Sequence, residues 1–471
     1  MGRKQHLRRL RFTVPGFPPQ VLLMNASFKN IFKASGAASL GQVLNILNQL
    51  ALVPLYIKVW GPPLYGEWLI LSAAPSVIAM AGDFGFGTVA ANEMNIAVAR
   101  NDQDYALKVF QNNWLVISAF SILFLVVAGI GLAVLPVDTS LNLHLIANND
   151  AKLIIGLFLF TILLSQQNVL LMAALRCDGN YVAGLLVGNI GRLVELILIS
   201  GLLFFYHAEP LTLVITLTFT SIATVSTNWI LVRTRSPWIK HGTRHFSMDI
   251  IKVQTPAALS FLSFPITQAF SIQGTVILVG YLLNPAAVVV LTTTRTFMNV
   301  IKQVVAVVNS SIWPEMTTAY GQADDAKFQN IFIRAVQAVM LIVLSFNLSI
   351  WLIGKPIYLF WTKHKLDFDN TFFYAFAAVT SISALWSIFG MVQNATNNTK
   401  KFAIYNLCSL VILLLGITFT SKPFGLQGVL CSMFVAETFM LFFVMRTSLH
   451  ILNGPSLAGF FRLRRRNVVV E

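Results

Sequence analysis

The chain has 471 residues, 56% of them hydrophobic and only 11% charged, with a mean hydropathy of +0.72. So few charges could not cover the surface of a soluble protein of this length, which excludes a soluble globular fold. The net charge of +15 therefore belongs to loops and tails at a membrane. No soluble basic domain remains for nucleic-acid binding.

The start is basic, from Arg3 to Arg11, with Pro15, Pro18 and Pro19 before a full-length span, so no cleavable signal peptide is expected. Uncharged runs at 34–57, 109–137, 153–175, 210–232 and 335–354 can each cross a hydrocarbon layer roughly 30 Å thick. The run 253–294 is long enough for two spans, broken at Leu283-Asn284-Pro285. Spans in lipid must be helical here, because lipid cannot satisfy open backbone. Twelve transmembrane helices are expected, near 32–58, 65–96, 111–135, 152–176, 180–205, 210–232, 252–281, 285–314, 328–354, 369–396, 402–420 and 424–448. The expected organisation is a basic tail (1–31), a six-helix bundle (32–235), a linker (236–250), a second six-helix bundle (251–449) and a basic tail (450–471).

The two bundles repeat each other. Pro63, Glu93, Met94, Asp102 and Phe110 recur 222 residues later as Pro285, Glu315, Met316, Asp324 and Phe332. Asn180, Asn189, Leu193 and Val194 recur at an offset of 217 as Asn397, Asn406, Leu410 and Val411. Pro210, Arg233 and Thr234 recur at 213 as Pro423, Arg446 and Thr447. A shrinking offset fits a second copy with shorter loops, and a duplicated membrane bundle is an architecture of transporters.

Of the 33 Lys and Arg, 24 lie in the tails or in loops after even-numbered helices, six on the opposite side and three inside helices. This bias places both termini in the cytoplasm, and basic tails can hold anionic lipid headgroups. There is no phosphate-cradling Gly-rich loop, no metal-spaced His pair and no GxSxG elbow, so enzyme chemistry, a cofactor and a metal are not expected. Energy would come from a gradient, with H+ or Na+ as possible coupling ion.

Ionisable residues inside spans are the functional candidates, since a charge at bilayer depth costs several kcal/mol unless paired or hydrated. Arg295, Asn299, Lys302 and Asn309 share one face of the expected eighth helix. That face suits an anion, with Arg offering a planar fork for phosphate or carboxylate oxygens. The bland alternative is snorkelling, or pairing with acids on neighbouring helices. Arg192 and Glu195, one turn apart, form either a self-neutralising pair or an extension of the anion site. Asp83 is the candidate for cation or proton coupling, though Gly82, Gly85 and Gly87 around it equally suit a helix break. Glu93 and Glu315 fall near the cytoplasmic end, where capping or gating is the expected role. Glu437 in the last helix is a further candidate. Polar stripes at Gln42, Asn45, Asn48 and Gln49, at Gln166, Gln167 and Asn168, and at Thr267, Gln268, Ser271 and Gln273 suit a hydrated lumen or interhelical hydrogen bonds. Trp60, Trp68, Trp238 and Trp361 are expected as interfacial anchors.

Val53-Pro54-Leu55, Trp60-Gly61, Tyr65-Gly66-Glu67-Trp68 and Asp83-Phe84-Gly85 resemble the opening of polysaccharide flippases. These belong to the multidrug/oligosaccharidyl-lipid/polysaccharide (MOP) exporter superfamily. Asn284-Pro285 and Pro314-Glu315-Met316 echo the pattern in the second half. The resemblance implies an all-α, V-shaped MOP/MATE-like fold of two six-helix bundles in the bacterial inner membrane. It also implies alternating access that moves an undecaprenyl-diphosphate-linked oligosaccharide for O-antigen, capsule or exopolysaccharide synthesis. Membrane lipids, and a glycan polymerase or assembly proteins, would be its partners. The rivals are an ion-coupled multidrug/cation antiporter of the same superfamily, which should favour acidic cavity residues, and a non-transporting scaffold for glycan assembly.

Overall fold

A computed structural model describes residues 20–81, 85–322, 324–366, 368–396 and 399–452. Asp83, Asn397 and the basic runs 3–11 and 462–466 lie outside the described residues. Every regular element among the described residues is helical, as expected for a chain that must satisfy its backbone within apolar segments. The first half contains Gln20–Ala81, Phe86–Ala99, Gln103–Val134, Asn148–Cys177, Tyr181–Tyr206 and Pro210–Arg235, with one short turn at Val137–Ser140. In the second half, Met248–Ala269 passes through a π-helical segment, Phe270–Gly274, into Thr275–Leu282. Pro285–Met298, Val300–Gly321 and Asp325–Ser349 follow, then a second π-helical segment, Ile350–Gly354, which leads into Lys355–Trp361. Asn370–Ala395 and Thr399–Ile451 complete the fold. Among the described residues, eight stretches are long and apolar enough to cross a membrane. Segments 248–282 and 285–321 are not among those eight. Both line the cavity described below.

Several boundaries differ from the sequence expectation. The first helix begins at Gln20, ahead of the expected 32, so the tail boundary at 31 falls inside a helix. Residues 20–31 carry no Pro or Gly to stop it. The expected break between 58 and 65 is a kink at Gly61, whose φ of 72° only glycine adopts without strain. The expected helix 65–96 is not continuous: it stops at Ala81 and restarts at Phe86, after a left-handed Gly85. The expected break near 420–424 is a kink at Gly425.

Three of the repeated pairs have repeated roles. Asp102 and Asp324 are both N-caps, each accepting the N–H three residues on at 2.9 Å. Met94, Phe110, Met316 and Phe332 are all fully buried. The apolar core divides in a way that bears on function. At one end of the molecule a single core joins both halves, with Ile57, Ile70 and Leu71 packed among Val288, Leu291 and Phe373. At the opposite end, beside the 236–247 linker, each half keeps its own core, around Phe110 and Leu171 or around Phe332 and Ile388. There the halves meet through a small cluster of Phe86, Val89, Ile117 and Ala258.

The Tyr65-Gly66-Glu67-Trp68 segment builds the joined end. Tyr65 stacks on Tyr56 at 5.1 Å. Gly66 lets the helix meet the backbone carbonyl of Pro285 in the other half, with no room for a Cβ. The buried Glu67 carboxylate accepts the backbone N–H groups of His144, Leu145 and Ile146 at 2.6, 2.9 and 2.8 Å. The expectation that tryptophans act as interfacial anchors is corrected at Trp68, which packs inside the protein. Trp68 is only 5% exposed, and Trp60 and Trp361 donate to the carbonyls of Ala208 and Leu50 at 2.8 and 2.7 Å. Trp238 donates to Asp178 at 3.1 Å. Indole N–H groups seek partners when half-buried, and here protein carbonyls and a carboxylate supply them.

Candidate functional site

The Pro285–Met298 helix starts at a full stop in the chain. Asn284 Oδ1 caps it by accepting the Ala287 N–H at 2.8 Å, and Pro285 fits the first turn, where no N–H is needed. After one turn at Asn299 the chain continues as Val300–Gly321 with the same phase. Arg295, Asn299, Lys302 and Asn309 consequently share the face expected of them, and all four line one cavity of about 540 Å³. The walls opposite are amide- and hydroxyl-rich. Gln42 and Gln49 enter from the first half, Gln268 and Ser271 from the helix before the cavity, and Asn406 from the last long helix.

Arg295 Nη1 donates to the carbonyl of Ile272 at 3.2 Å, inside the π-helical segment. Such a bulge displaces carbonyls from the regular helical ladder and is frequent at functional sites. This bond uses one of five guanidinium donors. Among the described residues no carboxylate comes within 4.0 Å of Arg295 or Lys302, so neither is neutralised by a contact ion pair. Glu437 lines the same cavity, and its Oε2 accepts the Trp386 indole N–H at 2.5 Å. Gln303 Oε1 and Asn309 Oδ1 are buried with no partner among the described residues. Water or a polar ligand would supply what they lack. The cavity is thus a polar, net-cationic chamber inside the second half that reaches the first half at Gln42 and Gln49.

Arg192 does not line this cavity. Its Nη1 donates to Asn189 Oδ1 at 3.4 Å, and its carbonyl accepts the Asn48 side chain at 3.5 Å. It packs against the Gly41 and Asn48 side of the first helix, whose Gln42 and Gln49 side faces the chamber. Glu195 is half-buried one turn further along the same helix. The repeated glutamates diverge: Glu315 is exposed, whereas Glu93 accepts the Gln254 side-chain N–H at 2.5 Å and the Tyr105 hydroxyl at 3.3 Å. Gln254 in turn accepts from Asn113 at 3.0 Å. Glu93, Asn113 and Gln254 therefore tie the two halves together at the linker end.

Sequence reasoning missed Gln254 and the tripeptide Gln111-Asn112-Asn113. Gln111 and Asn112 hold the linker by donating to the carbonyls of Lys240 and His245, both at 2.8 Å, and by accepting the N–H groups of His245 and Ser247. Three consecutive amides at the start of an apolar span were the available signal. The Gln166-Gln167-Asn168 stripe makes interhelical bonds, Gln167 to Ser118 at 3.1 Å and Asn228 to Asn168 at 2.8 Å.

No family model matches the sequence, and no curated relative does. Solved structures match its fold. One, described as the inward-facing conformation of a multidrug resistance MATE family transporter of the MOP superfamily, aligns with a TM-score of 0.67 at 14% identity, covering 93% of this chain and 100% of the other. The MATE multidrug transporter DinF-BH gives 0.66 at 15% identity, covering 92% and 96%. The lipid II flippase MurJ, in an inward closed conformation, gives 0.63 at 11% identity, covering 93% and 90%. The chain therefore has the fold of these MOP-superfamily transporters.

Proposed function

We propose that this protein flips an undecaprenyl-diphosphate-linked oligosaccharide across the bacterial inner membrane by alternating access, in the synthesis of cell-surface polysaccharide. One observation carries the reading: Arg295 and Lys302 face a polar chamber with no contacting carboxylate. A diphosphate crossing bare hydrocarbon faces a prohibitive desolvation cost. Fixed cations replace its water, and the Arg295 fork matches phosphate oxygens two at a time. Side-chain amides such as Gln42, Gln268 and Asn299 suit sugar hydroxyls, which both donate and accept. The polyprenyl tail stays in lipid throughout. The distribution of Lys and Arg puts both termini and the linker end in the cytoplasm, so the joined core closes the outer face. Opening the joined end while closing the linker end would deliver the cargo outward.

A second reading has its own observation. Glu437 lines the same chamber beside Trp386 and Phe402, and a carboxylate among aromatics suits an organic cation. That reading is ion-coupled cation antiport, in keeping with the multidrug transporters among the structural neighbours.

Proteoliposomes loaded with lipid-linked oligosaccharide decide between them. The native protein should translocate the cargo, and Arg295→Ala/Lys302→Ala should lose at least tenfold in rate while melting as the native does, since each lost charged contact is worth about 1.5–3 kcal/mol. Equal rates in both proteins would refute the site. Cation efflux without oligosaccharide movement, abolished by Glu437→Gln, would establish the second reading.

A further inference from the structure

The first half holds a second cavity that the transport reading leaves unused. It has a volume of about 580 Å³ and lies between the Gln103–Val134, Asn148–Cys177 and Pro210–Arg235 helices, each long and apolar enough to cross a membrane. Its collar, at the linker end, is aromatic. His241, from the linker, meets Phe110 and Trp114 edge-on at 5.0 and 5.5 Å and Trp229 at 6.3 Å. The Arg233 guanidinium stacks on Trp229, 4.0 Å from the ring centroid. A stacked guanidinium keeps its N–H edge free for a planar anion contact. Arg233 is exposed, as are its basic neighbours Arg235 and Lys240.

Below the collar the lining changes twice. Ser118, one helical turn and so about 6 Å deeper than Trp114, pairs with Gln167, and both line the cavity. Ser121 lines it one turn deeper still. Its hydroxyl is buried and has no partner among the described residues, although the residue is only 8% exposed. Deeper yet the lining is apolar, with Leu125, Phe160, Leu163 and Leu164. From the collar inward the order is thus cation, aromatic ring, hydrogen-bonding band and hydrocarbon.

We infer that this groove binds one anionic glycerophospholipid from the leaflet at the linker end. The phosphate lies against the Arg233 edge, the ester oxygens at the Ser118–Ser121 band, and an acyl chain along Leu125 and Phe160. The order of chemistry matches the order of groups along a phospholipid. The Ser121 hydroxyl, like Gln303 and Asn309 in the chamber, lacks a partner that water or a polar ligand would supply, and the glycerol esters of a phospholipid offer acceptors at that depth where a hydrocarbon tail alone does not. The position also has a consequence for the fold. A lipid held here would rest against His241, in the linker that Gln111 and Asn112 fasten to the first half, so it would brace the joint between the halves.

The test uses the full-length protein reconstituted in equimolar phosphatidylglycerol and phosphatidylcholine vesicles, then extracted gently for native mass spectrometry. The native protein should retain one phosphatidylglycerol in preference to phosphatidylcholine. Arg233→Gln should reduce that preference about fivefold, the worth of one basic side chain at an anionic surface. Arg235→Gln, which removes an exposed charge without a stacked ring, should leave it unchanged. Leu125→Trp should lower retention of both lipids by filling the acyl path. Equal retention of the two lipids by the native protein would overturn the inference, as would an Arg233→Gln protein that melts and binds like the native. Because the readout is lipid retention, the result does not depend on what the other cavity transports.

Discussion

At Gly66, in the joined end, the two halves press backbone on backbone, and Gly66→Ala isolates that contact. An added Cβ would meet the Pro285 carbonyl carbon at 2.5 Å and its Cβ at 2.8 Å, with the carbonyl oxygen nearer still. Real Cβ contacts essentially never fall below 3.0 Å, and backbone cannot swing aside as a long side chain would. Overpacking of this kind costs about 1–3 kcal/mol. Alanine also gains about 1 kcal/mol of helix propensity over glycine. That gain is present in every folded conformation, so it offsets part of the loss in a melting experiment and cancels between open and closed folded states. The clash exists only while the joined end is closed. Gly66→Ala should therefore raise the population open at that end by about 5- to 150-fold. The assay is alkylation of a cysteine at Ile57, which is fully buried in the shared core, in a background with Cys177, Cys408 and Cys431 replaced. Labelling by a water-soluble maleimide should accelerate by that factor. An unchanged rate, with melting also unchanged, would refute the reasoning that this core is the closed gate.

At the other end, Gln254→Leu removes the bonds that Glu93 and Asn113 make across the halves and leaves each its partner within the first half, Tyr105 or the Val109 carbonyl, at about 1.5–3 kcal/mol for the lost bond to the carboxylate. It should favour separation there and slow alkylation of the Ile57 reporter, the opposite sign to Gly66→Ala. Asp102→Ala and Asp324→Ala should each cost about 1 kcal/mol, by thermal unfolding, because the two caps share one geometry; a severalfold difference between them would show that the repeat is not structural. Burial first, and then the Arg233 charge, hold the His241 imidazole below its ordinary value. The folded state thus binds this proton less readily than the unfolded one, so its contribution is complete above about pH 6.5 and is lost as pH falls from there towards the lowered value. Melting followed between about pH 5 and pH 8 should show that loss, and His241→Phe, which keeps a ring against Phe110 and Trp114, should flatten it.

The amino-acid sequence determined the fold class and much of the chamber. With 11% charge spread over long apolar runs, only helices can satisfy the backbone, and helical periodicity puts Arg295, Asn299, Lys302 and Asn309 on one face wherever the helix packs. The repeat likewise identified Asp102 and Asp324 as equivalent, because capping is local and depends on a spacing of three residues. What tertiary structure alone decided is which polar faces meet. Arg192 has the same intrinsic chemistry as Arg295, yet it packs beside Gly41 of the first helix rather than in the chamber, with one guanidinium donor on Asn189. Trp68 has the composition of an interfacial anchor, but packing against Tyr56, Trp60 and Phe158 buries it. Glu93 and Glu315 are equivalent by sequence, and only Glu93 lies where Gln254 of the other half can reach it. Periodicity fixes the angle of a side chain about its own helix axis. The identity of its neighbour depends on how the helices pack against one another, which a hydropathy pattern does not encode.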